Sequence, residues 1–272
     1  MDNDPREDPV PQCETLLVSE NNKSRPLHGQ AIVALMVYLT AVCNGLSSGH
    51  SAILLPQLRE NSSSIQVNED TESWIVSVYI GATSLGCLLS GIVLHAWGRK
   101  RTVQISVACN CIGWILISVT NYVSVLLVGR TLGGFGKGLS TPAVTFHLEE
   151  VSDPRMRGTL SACILLMYSV GIMIISMLGT DVSWKISAGL GAGLTLLNLL
   201  GYSMLVESPV WLIRNNHIDQ AQKVYSWLWG SGHELQVNNV LGQFSLHENN
   251  GETPNQIDQI FTLRVWKPIL NK

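Results

Sequence analysis

Polar and apolar residues alternate along this chain in long blocks. Residues 1–30 are rich in Pro, Asn, Asp and Glu, a composition that buries too little apolar surface to fold and predicts a disordered tail. Crossing the hydrocarbon core takes roughly 20 predominantly apolar residues. Six stretches reach that length, at approximately 31–55, 73–97, 102–120, 122–147, 159–180 and 184–206, each bounded by a charge cluster or a Pro/Gly/Asn/Asp turn. Residues 31–206 are therefore predicted to form six transmembrane helices, in an all-α membrane protein. The first apolar run starts about thirty residues in and is long enough to span, which argues against a secretory signal peptide. After the sixth run, Ser208-Pro209 is a good helix start, with a capping hydroxyl and Pro in the first turn. Trp211, Leu212, Ile218, Ala221, Val224, Tyr225 and Leu228 then recur at helical spacing, which predicts short amphipathic helices over 207–230. Residues 231–272 read as a polar linker followed by the start of a further segment.

Charge orients the helices, because Lys and Arg in short loops stay on the cytosolic side. Arg99, Lys100 and Arg101 follow the second run, Arg155 and Arg157 the fourth, and Arg214 and Lys223 the sixth, whereas the opposite loops are poor in cations. Both termini are thus expected in the cytosol. Asn61-Ser62-Ser63 then lies outside, where Asn61 is a glycosylation acceptor. The net charge of −3, with 14% charged residues, gives no case for nucleic-acid binding.

The spans carry few candidates for chemistry. Five of the 6 cysteines (Cys43, Cys87, Cys109, Cys111, Cys163) lie inside spans at no metal-ligand spacing and read as small packing residues, and no metal or cofactor is expected. His50, His95 and His147 sit at span ends without an i, i+4 partner, so the arrangement a membrane enzyme or haem protein needs is missing and no enzymatic activity is expected. Gly129 and Gly133, Gly134 and Gly138, and Gly189 and Gly193 are spaced for close helix contact. Arg130 lies in the outer part of the fourth span, where it can snorkel, and Lys137 lies near its middle, where it cannot. A cation at the bilayer centre costs roughly 2.5–3.5 kcal/mol on insertion scales. Lys137 must meet backbone carbonyls, a water-filled cavity, a substrate or a partner outside this chain, or be neutral. No span holds a carboxylate at comparable depth, which favours facilitated diffusion over proton coupling.

Four blocks resemble a known family. They are "SWIVSVYIGATSLGCLLSGIVLHAWGRKRT", "GRTLGGFGKGLSTPAV", "EEVSDPRMRGTL" and "ESPVWLI", and together they span most of residues 31–230. The chain resembles the N-terminal half of a major facilitator superfamily sugar transporter, most of all the insect facilitated trehalose transporter-like proteins. The resemblance implies a cytosolic gating network in which Arg99, Glu150, Arg157 and Glu207 take part. His95 stands where the family's loop has an acid, Val206 where it has the proline before the glutamate, and Val210 where it has an arginine. Many hexose-transporting relatives carry a glutamine at the position of Leu165. Asn44, Ser47, Ser48, His50, Tyr168 and Ser169 are candidates to line a substrate path, although hydrogen bonding between helices is the commoner role for each such residue taken singly.

The implied function is facilitated transport of a disaccharide or hexose by alternating access, in the plasma membrane and in contact with its lipid. Half of such a carrier supplies one wall of the site, so the expected partner is a second half or a second copy. The alternative is a non-transporting adaptor, sugar sensor or regulator of a full-length transporter.

Overall fold

Each apolar run becomes a helix in the computed structural model, which describes residues 27–59, 67–152, 156–179, 182–215 and 217–229. Asn61, Arg155, the tail before residue 27 and the segment after 229 lie outside the described residues. The long helices are α1 (Leu27–Arg59), α2 (Glu69–Trp97), α3 (Arg99–Val119), α4 (Val123–Val151), α5 (Arg157–Leu178) and α6 (Trp184–Ser203). Two short helices follow, α7 (Pro209–Arg214) and α8 (Ile218–Trp229).

The six long helices are not equally apolar. Five of the long helices are apolar enough to cross a membrane by length and composition, and α4 is the exception. At 29 residues α4 is long enough, but Arg130, Lys137 and its glycines dilute its apolar run. Its neighbours supply what its own sequence lacks, since Arg130, Gly133, Gly134, Gly136 and Gly138 are all buried within the bundle.

The packing has a ring and two arms. α1, α4, α3 and α6 close a ring, with α1 against α4, α4 against α3, α3 against α6, and α6 against α1. α2 packs chiefly on α4 and α5 chiefly on α1. Glycine decides how closely the arms approach. A Cβ on Gly138 would sit 2.1 Å from the Thr83 carbonyl oxygen, and one on Gly134 2.4 Å from that of Tyr79, so α2 meets α4 backbone to backbone. Gly45 and Gly171 do the same between α1 and α5, where added Cβ atoms would meet the carbonyls of Tyr168 and Val42 at 2.1 and 2.3 Å. On its other side α4 sets Gly129 and Gly136 against α3. Gly133 is less tightly held, its nearest neighbour being Ser47 Oγ at 3.5 Å. The expected Gly189 and Gly193 contact is corrected: Gly189 meets a single side chain, Ser118, and Gly193 faces open space.

Two apolar clusters fill the ring. One gathers Trp114, Leu54, Ile75, Leu126 and Ile175 towards the end where α1 meets α2. The other gathers Val37, Val144, Leu148 and Tyr202 at the opposite end and continues into Leu212, Ala221 and Leu228 of α7 and α8, which explains why those two helices dock there. Buried polar groups lie between the clusters. Asn198 Nδ2 donates to Thr40 Oγ1 at 3.0 Å and Asn44 Nδ2 to Ser140 Oγ at 2.8 Å, so the layer is hydrogen-bonded across helices.

Candidate functional site

Polar residues of α1, α2, α4 and α5 converge near mid-height. Lys137, at the midpoint of α4, donates from Nζ to Ser48 Oγ of α1 at 2.8 Å and to Tyr168 Oη of α5 at 3.1 Å. Ser48 gives its own proton to the Asn44 carbonyl at 3.0 Å, so Tyr79 of α2, 3.1 Å away, is the donor in the Ser48–Tyr79 pair. The ammonium stands 5.0 Å from the Tyr168 ring centroid and 5.6 Å from that of Tyr79. Four helices thus present one cation, three hydroxyls and two aromatic faces together. Lys137, Ser48 and Tyr168 are half-buried, as a group facing a cavity would be.

Arg130 occupies the same face of α4 two turns away. Its guanidinium lies 4.3 Å over the Tyr79 ring, Nη1 donates to the Ser47 carbonyl at 3.3 Å and Nη2 to Ser51 Oγ. It is 1% exposed, so it is built into the bundle and does not snorkel.

Of the six residues expected along a path, four gather here. Asn44 and Ser47 are bonded to Ser140 and Arg130, while Ser48 and Tyr168 accept from Lys137. His50 takes the interhelical role: it is fully buried, its Nε2 pairs with the Trp184 carbonyl at 3.2 Å and its ring edge meets Trp114, so it ties α1 to α6. Ser169 is corrected, being exposed and bonded to the Leu165 carbonyl of its own helix. Tyr79 was missed. The only signal was its place in an otherwise apolar stretch of the first resembling block, where a tyrosine reads as bulk.

The α7 end of the bundle holds a second polar cluster. Arg99 donates to Glu150 Oε1 from Nε at 3.0 Å and from Nη2 at 2.7 Å, with the two side chains 13% and 16% exposed. Ser208 Oγ donates to the other Glu150 oxygen and also accepts from the Trp211 amide at 3.5 Å, so it caps α7 and anchors it to α4. Glu207 Oε1 accepts the Lys100 amide at 2.8 Å and the Ser208 amide at 3.1 Å, placing a carboxylate at the N-terminus of α3. Gly98, at φ +87°, makes room: a Cβ there would lie 3.0 Å from the Glu207 carboxyl carbon. Burial pushes the Glu150 carboxyl above its ordinary value, while Arg99 and Ser208 pull it down.

Two residues expected in that network stand apart from it. His95 is exposed, and among the described residues it has no hydrogen bond, ion pair or ring contact. Arg157 donates at 3.4 Å to the Ser152 carbonyl and, among the described residues, to no carboxylate. The carboxylate near the α2–α3 turn is that of Glu207, which follows α6.

At the other end, Arg59 grips Glu72 through Nε and Nη2, at 2.6 Å for the shorter ion-pair contact. Its bonds hold the Glu72 carboxyl below its ordinary value.

Comparison with known proteins gives one consistent result. Residues 33–270 match the family described as "Sugar (and other) transporter". The facilitated trehalose transporter Tret1 of Culex quinquefasciatus is 29% identical over 227 residues, covering 83% of this chain and 41% of that protein. Tret1 of Aedes aegypti is 31% identical over 202 residues, covering 74% of this chain and 25% of that protein. This chain therefore spans well under two thirds of the length of these relatives. Among solved structures, the major facilitator superfamily proton:xylose symporter XylE aligns with a TM-score of 0.69 at 17% identity, over 82% of this chain and 55% of XylE, a likeness of fold.

Proposed function

The chain belongs to the sugar (and other) transporter family and is an integral membrane protein, and from that premise we propose that it forms the N-terminal half of a sugar porter. Residues 31–206 are the transporting half and 207–230 its cytosolic helices, with both termini in the cytosol of a plasma-membrane protein. The cargo is a disaccharide or hexose moved by facilitated diffusion, as the Tret1 relatives suggest. The observation that carries the reading is the mid-height cluster in which four helices bring Ser48, Tyr79, Tyr168 and Lys137 together, offering hydroxyls, aromatic faces and a donor, the groups that bind a sugar. A second half, or a second copy, supplies the facing wall.

Facilitated diffusion is supported by the placement of acids. Among the described residues every Asp and Glu (Glu69, Asp70, Glu72, Glu149, Glu150, Glu207, Asp219) lies at a helix end or beyond, leaving no mid-span carboxylate to carry a proton. Arg99, Glu150, Ser208 and Glu207 form the inner latch, which holds α3, α4 and α7 together and must loosen when the halves rock.

The test is uptake of radiolabelled trehalose and glucose into proteoliposomes holding the full chain. Saturable uptake, with counterflow and no response to an imposed pH gradient, is expected. No uptake above empty vesicles refutes transport by this chain alone. Sugar binding without uptake selects the sensor or adaptor reading.

A further inference from the structure

Lys137 and Arg130 stand on one face of α4, seven residues or ~10.5 Å apart along the axis. Both approach the same Tyr79 ring, Arg130 from within the bundle and Lys137 from a half-buried position. Neither has a counter-ion among the described residues. Among the described residues the ion pairs are Arg59–Glu72 and Arg99–Glu150, at opposite ends of the bundle, and neither reaches this face. The cations meet hydroxyls, a carbonyl and ring faces, which solvate charge without cancelling it. Arg130 Nε is buried without a hydrogen-bond partner, and Lys137 fills two of its three donor positions. Positive charge held at mid-membrane raises a strong local potential because the surroundings screen it poorly. A neutral sugar would leave that potential as it is.

We propose that this site recognises an anionic sugar, a polyhydroxylated body carrying a carboxylate or phosphate, with Lys137 as the counter-ion of the anionic group. Ser48 and Tyr168 position the ammonium, and Arg130 adds positive potential two turns towards the outer end. The Tyr168 hydroxyl and the aromatic faces of Tyr79 and Tyr168 remain for the sugar body. This inference rests on the sugar-porter reading and narrows its substrate class.

The full chain in lipid nanodiscs, with radiolabelled glucuronate, glucose 6-phosphate, glucose and succinate as probes at low salt, tests it without requiring a variant to fold. At least one of the two anionic sugars is expected to bind 10-fold or more tighter than glucose and than succinate, and the tighter one identifies carboxylate or phosphate. Lys137→Met should weaken that binding at least 10-fold, and Lys137→Arg should retain most of it. Glucose binding as tightly as the anionic sugars overturns the proposal and leaves the sugar-porter reading standing. Succinate binding as tightly as glucuronate overturns both. Anionic-sugar binding untouched by Lys137→Met places the charge balance elsewhere and overturns the proposal, as does a failure of all probes to bind.

Discussion

Replacing either partner of the Arg99–Glu150 pair should cost different amounts, and the difference should depend on pH. Glu150→Leu leaves the Arg99 guanidinium without its two short acceptor contacts, at 3.0 and 2.7 Å, and takes the acceptor from Ser208. Removing one partner of a buried ion pair costs about 3–5 kcal/mol. Because the side chains retain 13% and 16% exposure, water reaches them and the lower end applies, about 3 kcal/mol or roughly a hundredfold in the folded population. Arg99→Leu is gentler, since an abandoned carboxyl can take up a proton and an arginine cannot give one up. Burial already sets the Glu150 carboxyl above its ordinary value, and Arg99 is the first of the causes opposing that. A raised folded-state value means that the native state holds the proton more tightly. The stability it contributes is complete below the ordinary carboxyl value, about 4.3, and is lost as pH rises through the folded value. Without Arg99 the folded value climbs further, so the loss extends towards neutral pH. Reversible unfolding in mixed micelles at pH 5 to 8 should show Arg99→Leu close to wild type at pH 5 and falling away from it by pH 8. Glu150→Leu should be worse than Arg99→Leu at pH 5. Parallel pH profiles for wild type and Arg99→Leu, or equal losses for the two variants at pH 5, would refute the reasoning.

Gly138→Ala puts a Cβ 2.1 Å from the Thr83 carbonyl and should cost about 1–3 kcal/mol by forcing α2 off α4, whereas Gly193→Ala, facing open space, should stay within about 0.5 kcal/mol of wild type in the same unfolding assay. Gly98→Ala forces a side chain into φ +87° and ψ 174° against the Glu207 carboxylate, so a loss of about 1–3 kcal/mol is expected, and an unchanged midpoint would show that the turn relaxes freely. Tyr202→Phe removes the partner of His147 Nδ1, 2.6 Å away in a fully buried pair, and should cost about 1–3 kcal/mol; restoring stability with His147→Phe in the same chain would show that the orphaned ring nitrogen, and no packing change, was responsible.

The helices could be read from the sequence because hydrocarbon thickness demands a minimum run of apolar residues, and the runs end in charge or turn residues. Their ends were less legible. α1 extends from Leu27 to Arg59 through Pro56, past both limits of its apolar run, because helix continues where packing and capping permit and not where hydropathy stops. Lys137 was conspicuous because a charge at mid-span has few explanations. Tyr79 was not, since its meeting with Lys137 depends on the register of α2 against α4, fixed by Gly134 and Gly138 approaching the carbonyls of Tyr79 and Thr83. His50 and Ser48 looked alike as polar residues of one span, yet they are two residues apart on a helix and face different neighbours, Trp184 and Lys137. The inner cluster was half legible: Arg99, Glu150 and Glu207 were expected, but Ser208 as the link between Glu150 and α7 required the fold to bring positions 58 residues apart together.

A helix fastened along one seam behaves like a door leaf. α2 hangs from α4 and α5 from α1, each along a line where glycines bring bare backbone against bare backbone. The carbonyls of Tyr79 and Tyr168 lie in those two seams, against Gly134 and Gly45, so the glycines of the arms set how far the two tyrosines stand from Lys137.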